Sequence, residues 1–216
     1  MRYVECWMKR LTNPWVMLGY ILLVGSVYVF LDQPLAAYLH HLNVRERLPI
    51  LEWMTQLGRS SGYLVVLPCI AMYLRYVKHA KRLEWRIWFV WLTLLIVYII
   101  AFGLKIILGR ARPELLFHQH LFGFYGYHLS GVYHSFPSGH TTLATTLLLC
   151  MSLLLPAYRL LWLGLFVVIV ATRVLLTYHY LSDVLMTFYL VVIECRILQY
   201  AITRECPLYW AKLGIK

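Results

Sequence analysis

Apolar residues in this chain fall in long blocks rather than in strict alternation. Residues 15 to 31 and 87 to 104 carry no charge at all. About 20 mostly apolar helical residues cross a ~30 Å hydrocarbon core, so both blocks predict transmembrane helices. Residues 141 to 155 and 160 to 172 are shorter and approach that length only with weakly polar neighbours. Residues 63 to 74 are broken by Pro68, and the stretch after Asp183 carries Glu194 and Arg196. Together the blocks predict an all-α, polytopic membrane bundle of about six transmembrane helices. Residues 34 to 57 differ: Ile50, Leu51, Met54 and Leu57 repeat at helical spacing beside Arg45, Glu46, Arg47 and Glu52. That amphipathic pattern predicts a helix lying in the membrane interface.

Composition supports a bilayer setting. The chain of 216 residues is 62% hydrophobic and 13% charged, against roughly 25% charged in soluble domains. Its net charge of +11 does not indicate a nucleic-acid partner, because the basic residues form no stripe and no aromatic stacking platform accompanies them. Positive charge is expected instead to fix topology and hold anionic headgroups. Cys6, Cys69, Cys150, Cys195 and Cys206 show no paired spacing and are expected to be free. The first apolar block is long for a signal peptide, and Val27 to Phe30 offers no small-residue cleavage site, so an uncleaved first helix is expected. No repeat or linker divides the chain, which reads as one domain over residues 1–216. The longest connection, 114 to 136, holds Phe117, Phe122, Phe124, Tyr125, Tyr127, Tyr133 and Phe136. Such an aromatic loop is expected to be ordered and to cover a lipid-facing site.

Loop charge predicts orientation. Arg2, Lys9 and Arg10, then Arg75, Lys78, Lys81, Arg82 and Arg86, then Arg204, Lys212 and Lys216 mark segments expected in the cytoplasm. With an even helix count, the ends of helices 1, 3 and 5 and the starts of 2, 4 and 6 face outside. Three polar groups fall on that side.

The first group is Lys105 with Arg112 and Pro113. Lys105 and Arg112 are two helical turns apart and share a face if the helix continues that far, with Pro113 helping to end it. They read either as donors to phosphate oxygens or as residues snorkelling to headgroups. Arg110, between them, reads as snorkelling. The second group is Pro137-Ser138-Gly139-His140. Ser138 can cap the following helix and Gly139 can admit a ligand to the backbone, so the helix start offers N–H groups to an anion. An ordinary capped helix with an interfacial His140 fits those four residues equally. In the third group, His179 and Asp183 have the spacing that lets a carboxylate hold one ring proton, with Arg173 shortly before them. A buried structural hydrogen bond is the alternative. His118, His120, His128 and His134 fit no closed zinc pattern, so no metal site is expected. Glu194 and Arg196 read as snorkelling residues near the cytoplasmic side.

Taken together these residues resemble the signature of the type 2 phosphatidic acid phosphatase family, within the lipid phosphate phosphatase and vanadate haloperoxidase-like superfamily. Its patterns are K-x6-R-P, P-S-G-H and S-R-x5-H-x3-D. Lys105 to Pro113, Pro137 to His140, and Arg173, His179 and Asp183 match them in order and spacing over residues 105–183. Thr172 stands where the family usually has Ser, keeping the hydroxyl. The resemblance implies a bacterial membrane phosphohydrolase that uses neither metal nor cofactor. In it His179 attacks phosphorus to give a phosphohistidine, Asp183 orients His179, and His140 protonates the leaving oxygen. Lys105, Arg112, Ser138, Gly139 and Arg173 hold the phosphate oxygens. The expected partners are the bilayer and a lipid phosphate, with the site on the periplasmic side of the inner membrane. Undecaprenyl diphosphate, phosphatidylglycerophosphate, phosphatidic acid and lipid A phosphates all fit, and oligomeric state is left open. A lipid-to-lipid phosphotransferase and a non-catalytic anionic-lipid carrier are the rival readings.

Overall fold

A computed structural model describes residues 8–214, the Ser60 side chain apart. Arg2, Cys6 and Lys216 lie outside the described residues. Helices account for the architecture, and no strand occurs among the described residues beyond a bridge between Arg110 and Phe124. In chain order they are α1 (Pro14–Phe30), α2 (Asp32–His41), α3 (Val44–Arg47), α4 (Ile50–Gln56), α5 (Ser60–Tyr76) and α6 (Lys81–Leu108). Then follow α7 (Pro113–Gln119), α8 (Gly139–Leu154), α9 (Arg159–Leu175), α10 (Leu181–Glu205) and α11 (Pro207–Leu213).

Burial runs opposite to that of a soluble protein. In α1 only Val24 is buried, and Trp15, Leu22 and Phe30 are exposed at 80%, 63% and 76%. Such apolar surface is stable against lipid tails, not water. The central α8 instead buries Thr141, Thr142, Thr145 and Thr146. Thr142 and Thr146 donate to the carbonyls of Ser138 (2.9 Å) and Thr142 (2.8 Å), which satisfies their hydroxyls inside the bundle. α8 packs against α6, α9 and α10. Met8, Val97, Leu149, Val191 and Val192 form one apolar core between them, and Phe89, Val90, Cys150 and Leu213 a second.

By length and hydropathy, Lys81–Leu108 and Pro156–Leu175 qualify as membrane spans. Two bent pairs, Pro14–Phe30 with Asp32–His41 (52°) and Ile50–Gln56 with Ser61–Tyr76 (46°), raise the number to as many as four. α8 is a shorter apolar helix, and with α10 it completes the bundle by packing. The chain is a membrane protein of all-α class.

The expected interfacial helix over 34 to 57 is instead three short helices. Asn43 in the left-handed region (φ 49°) ends one segment, and Leu48, forced out of helical geometry before Pro49, ends the next. The apolar repeat from Ile50 survives in α4. Cys150 and Cys195 are buried, Cys69 and Cys206 exposed, and all four are free.

α6 starts and α8 ends at one end of the bundle, where Arg86 Nε donates to the Leu213 carbonyl (2.8 Å) and Arg82 to that of Gly214 (2.8 Å). The end of α6, the start of α8, the end of α9 and the start of α10 meet at the other end.

Candidate active site

Three turns bring the polar groups together. α6 stops at Gly109, whose φ of 53° closes the helix and whose added Cβ would meet the Gly126 carbonyl oxygen at 1.9 Å. The helix therefore does not continue from Lys105 to Arg112, the condition for the two to share a face: Arg112 is extended, and Pro113 begins α7 rather than ending α6. At the end of α9 the Arg173 carbonyl accepts from both Tyr178 N and His179 N (3.1 Å each), wrapping the loop back beside Arg173. Thr177 (φ 54°) makes the turn. Ser138 caps α8, its hydroxyl accepting from Thr141 N (3.4 Å) as expected.

Lys105, Arg112 and Arg173 converge on this site and form no ion pair among the described residues. Lys105 Nζ donates to the carbonyls of His134 (3.1 Å) and Pro137, and Arg112 to those of Gly131 (2.9 Å) and His134 (3.4 Å). Arg173 Nη1 donates to the Thr55 hydroxyl (2.6 Å), while its buried Nε has no partner. The buried Nε of Arg110 likewise has no partner, so what sets Arg173 apart is that no carboxylate pairs with its charge among the described residues.

Two imidazoles share that field. His179 is 3% exposed. Its Nδ1 lies 2.6 Å from the Ser135 carbonyl, which can only accept, so the neutral ring carries its proton on Nδ1 and leaves the Nε2 lone pair free. Burial, then the charges of Arg112, Arg173 and Lys105, hold the His179 pKa well below the ordinary histidine value. His140 sits against the Thr55 backbone in the field of the same three cations. It fills the space over Gly58, where an added Cβ would lie 2.6 Å from its Cδ2 and 2.8 Å from Ile169 Cγ2.

The His179–Asp183 pair departs from expectation. His179 precedes α10 instead of lying on it, and its Nδ1 is 3.9 Å from Asp183 Oδ2, too far for a hydrogen bond. Asp183 instead accepts from Ser135 Oγ (2.6 Å), Tyr180 N (2.9 Å) and Arg110 Nη1 (2.6 Å). It therefore holds Ser135, and the Ser135 carbonyl holds the imidazole.

Arg110 is not a snorkelling residue. It is 2% exposed and bridges Asp183 to Asp32, donating to Asp32 Oδ2 at 2.7 Å and to Ser182 Oγ at 2.9 Å. Its guanidinium lies within 4.9 Å of the Tyr28 and Tyr180 ring centres and 5.3 Å of Phe124. Burial opposes its charge, yet Asp183 and Asp32 raise its pKa. Within the 114 to 136 connection, Phe122 and Phe124 wall this arginine.

The start of α8 offers less than its sequence promised. Ser138 N donates to Thr187 Oγ1 (2.9 Å), so that group is spent within the bundle. A side chain at Gly139 would meet nothing within 4 Å, which leaves the backbone there approachable. No group of three or more His, Cys, Asp or Glu is arranged to hold a metal among the described residues.

Residues 86–205 match the family model described as the PAP2 superfamily, more than half of the chain. The chain belongs to that family. The match contains all three polar groups, whereas Asp32, Thr55 and Gly58 precede it. Among curated proteins, lipid A 1-phosphatases of Rhizobium etli and Rhizobium johnstonii are each 35% identical over 82 residues, which is 38% of this chain. The matched stretch spans 35% and 34% of those relatives' lengths, about a third of each. No solved structure matches.

Asp32, Ser135, Thr55 and Gly58 have no role in the sequence reading. Asp32 did carry a signal, as the lone charge closing the first apolar block. Gly58 carried none.

Proposed function

We propose that this protein is a membrane lipid phosphatase that hydrolyses a phosphate monoester or diphosphate through a phosphohistidine. The observation that carries the reading is a set of cations without counter-ions around an imidazole whose Nε2 is free. Phosphoryl transfer asks for positioning and charge stabilisation above all. Lys105, Arg112 and Arg173, with the backbone at Gly139 beside the Ser138 cap, hold the phosphate oxygens. His179 Nε2 attacks phosphorus as the bond to the lipid oxygen breaks, and His140, protonated once the bound anion offsets the three cations, gives that oxygen its proton. Water then attacks phosphorus, His140 takes up a proton, and the N–P bond breaks to release inorganic phosphate. Asp183 orients His179 through Ser135. No step calls on a metal, and activity is expected to survive a strong chelator.

The relatives' name, lipid A 1-phosphatase, supports a phosphate on an envelope lipid, beside the other lipid phosphates considered above. Loop charge supports a site facing the periplasm from a bacterial inner membrane, since the basic Lys78 to Arg86 segment and the α10–α11 end occupy the opposite pole. Cysteine placed at Gly131 in a chain lacking its native cysteines should react with an impermeant thiol reagent from outside. Labelling only from the cytoplasmic side reverses the orientation. Purified wild-type protein should release phosphate from a lipid phosphate, and folded His179→Ala should not. Near-normal turnover by that variant overturns the mechanism.

A further inference from the structure

A cleft of about 250 Å³ opens beside the reaction centre, lined by Arg45, Arg112, His40, His118, Tyr178 and Glu114. Its cations outnumber its single carboxylate. Tyr178 forms the partition between this cleft and the inner cations: Arg173 lies 4.1 Å and Arg45 4.5 Å from the centre of its ring. The partition is fixed, because the Tyr178 hydroxyl donates to Glu52 Oε1 (2.9 Å) and Arg45 Nε pairs with the same oxygen (2.9 Å). Glu52 pairs with Arg45 at Nε, and the exposed Arg45 side chain can present its terminal nitrogens to a ligand. Phe117 stacks on His40 at 3.9 Å and stiffens the far wall. Arg112 belongs to both compartments.

We propose that this outer cleft is a second anion subsite, which takes a phosphoryl group adjacent to the one being cleaved. The proposal rests on the phosphatase reading and deepens it. A shared Arg112 requires the two anionic groups to be close neighbours, as the successive phosphates of a diphosphate are. A forked guanidinium can meet oxygens of both. Arg45 adds a charge that a monophosphate seated against His179 does not reach across Tyr178. The preferred substrate is therefore a lipid with two phosphoryl groups in succession, and Arg45 and His118 set that preference.

The test compares kcat/KM for a lipid diphosphate and for the monophosphate of the same lipid, in wild type, Arg45→Gln, Arg45→Lys and His118→Gln. Loss of one charge-assisted contact should lower the diphosphate-to-monophosphate ratio about tenfold in Arg45→Gln. Arg45→Lys should recover part of it, and His118→Gln should lower it less. A ratio unchanged in Arg45→Gln overturns the subsite. An unchanged ratio with weaker inhibition by added inorganic phosphate assigns the cleft to free product phosphate, which also overturns it. Wild type inactive on both lipids defeats the phosphatase reading itself, a result distinct from either.

Discussion

Arg110 and Arg112 are separated by one alanine and face opposite electrostatic worlds. Arg110 is held between the carboxylates of Asp32 and Asp183 and enclosed by aromatic rings. Arg112 has only carbonyl partners and looks onto Lys105, Arg173 and His179. A buried charge is tolerable when it is paired and hydrogen-bonded. Arg110 meets that condition within the protein, so it acts as a structural bolt joining the α1–α2 bend to the start of α10. Arg112 and its neighbours do not meet it, and the missing counter-charge is what an anionic substrate would supply. The two arginines divide folding from function.

That division gives contrasting expectations. Arg110→Gln leaves two buried carboxylates unpaired and should cost about 3–5 kcal/mol of stability, read as a fall in the unfolding midpoint in detergent. Asp32→Asn keeps one acceptor oxygen and leaves Arg110 paired with Asp183, and should cost less. A loss in Arg110→Gln no larger than that of an exposed arginine such as Arg204 breaks the contrast. Arg112→Gln should behave inversely. Removal of one transition-state donor should raise the barrier by about 3 kcal/mol, on the order of 10² to 10³ in kcat, with the unfolding midpoint held or raised. The smallest effect is on pH. His179 must be neutral to attack, so activity is lost as pH falls through its depressed pKa, and the acid limb of kcat/KM lies below the ordinary histidine value. Arg112→Gln removes one of the lowering charges, and its acid limb should move to higher pH. Both enzymes share the substrate's own ionisation, so a limb that stays fixed or moves lower contradicts the electrostatic account.

The sequence made the candidate site legible and its supports opaque. Lys105, Arg112, Ser138, His140, Arg173 and His179 stand at block ends with spacings that hydropathy and turn chemistry expose. Their supports come from far away in sequence. Arg110 meets Asp32 across 78 residues, Arg173 meets Thr55 across 118, and Ser182 meets Asp32 across 150. Local pattern holds no trace of such pairings. The His179–Asp183 spacing also misled in detail. It placed the two residues in the same region, but α10 starts after His179, so the carboxylate works through Ser135.

The central claim is that His179 takes the phosphoryl group. Wild-type protein mixed with a lipid phosphate labelled in its scissile phosphate, and quenched in alkali within a turnover, should carry label on His179. That label should survive base and be lost in acid, as an N–P bond is. Label held by His179→Ala under the same quench, or none on the wild type while labelled inorganic phosphate accumulates, contradicts the account.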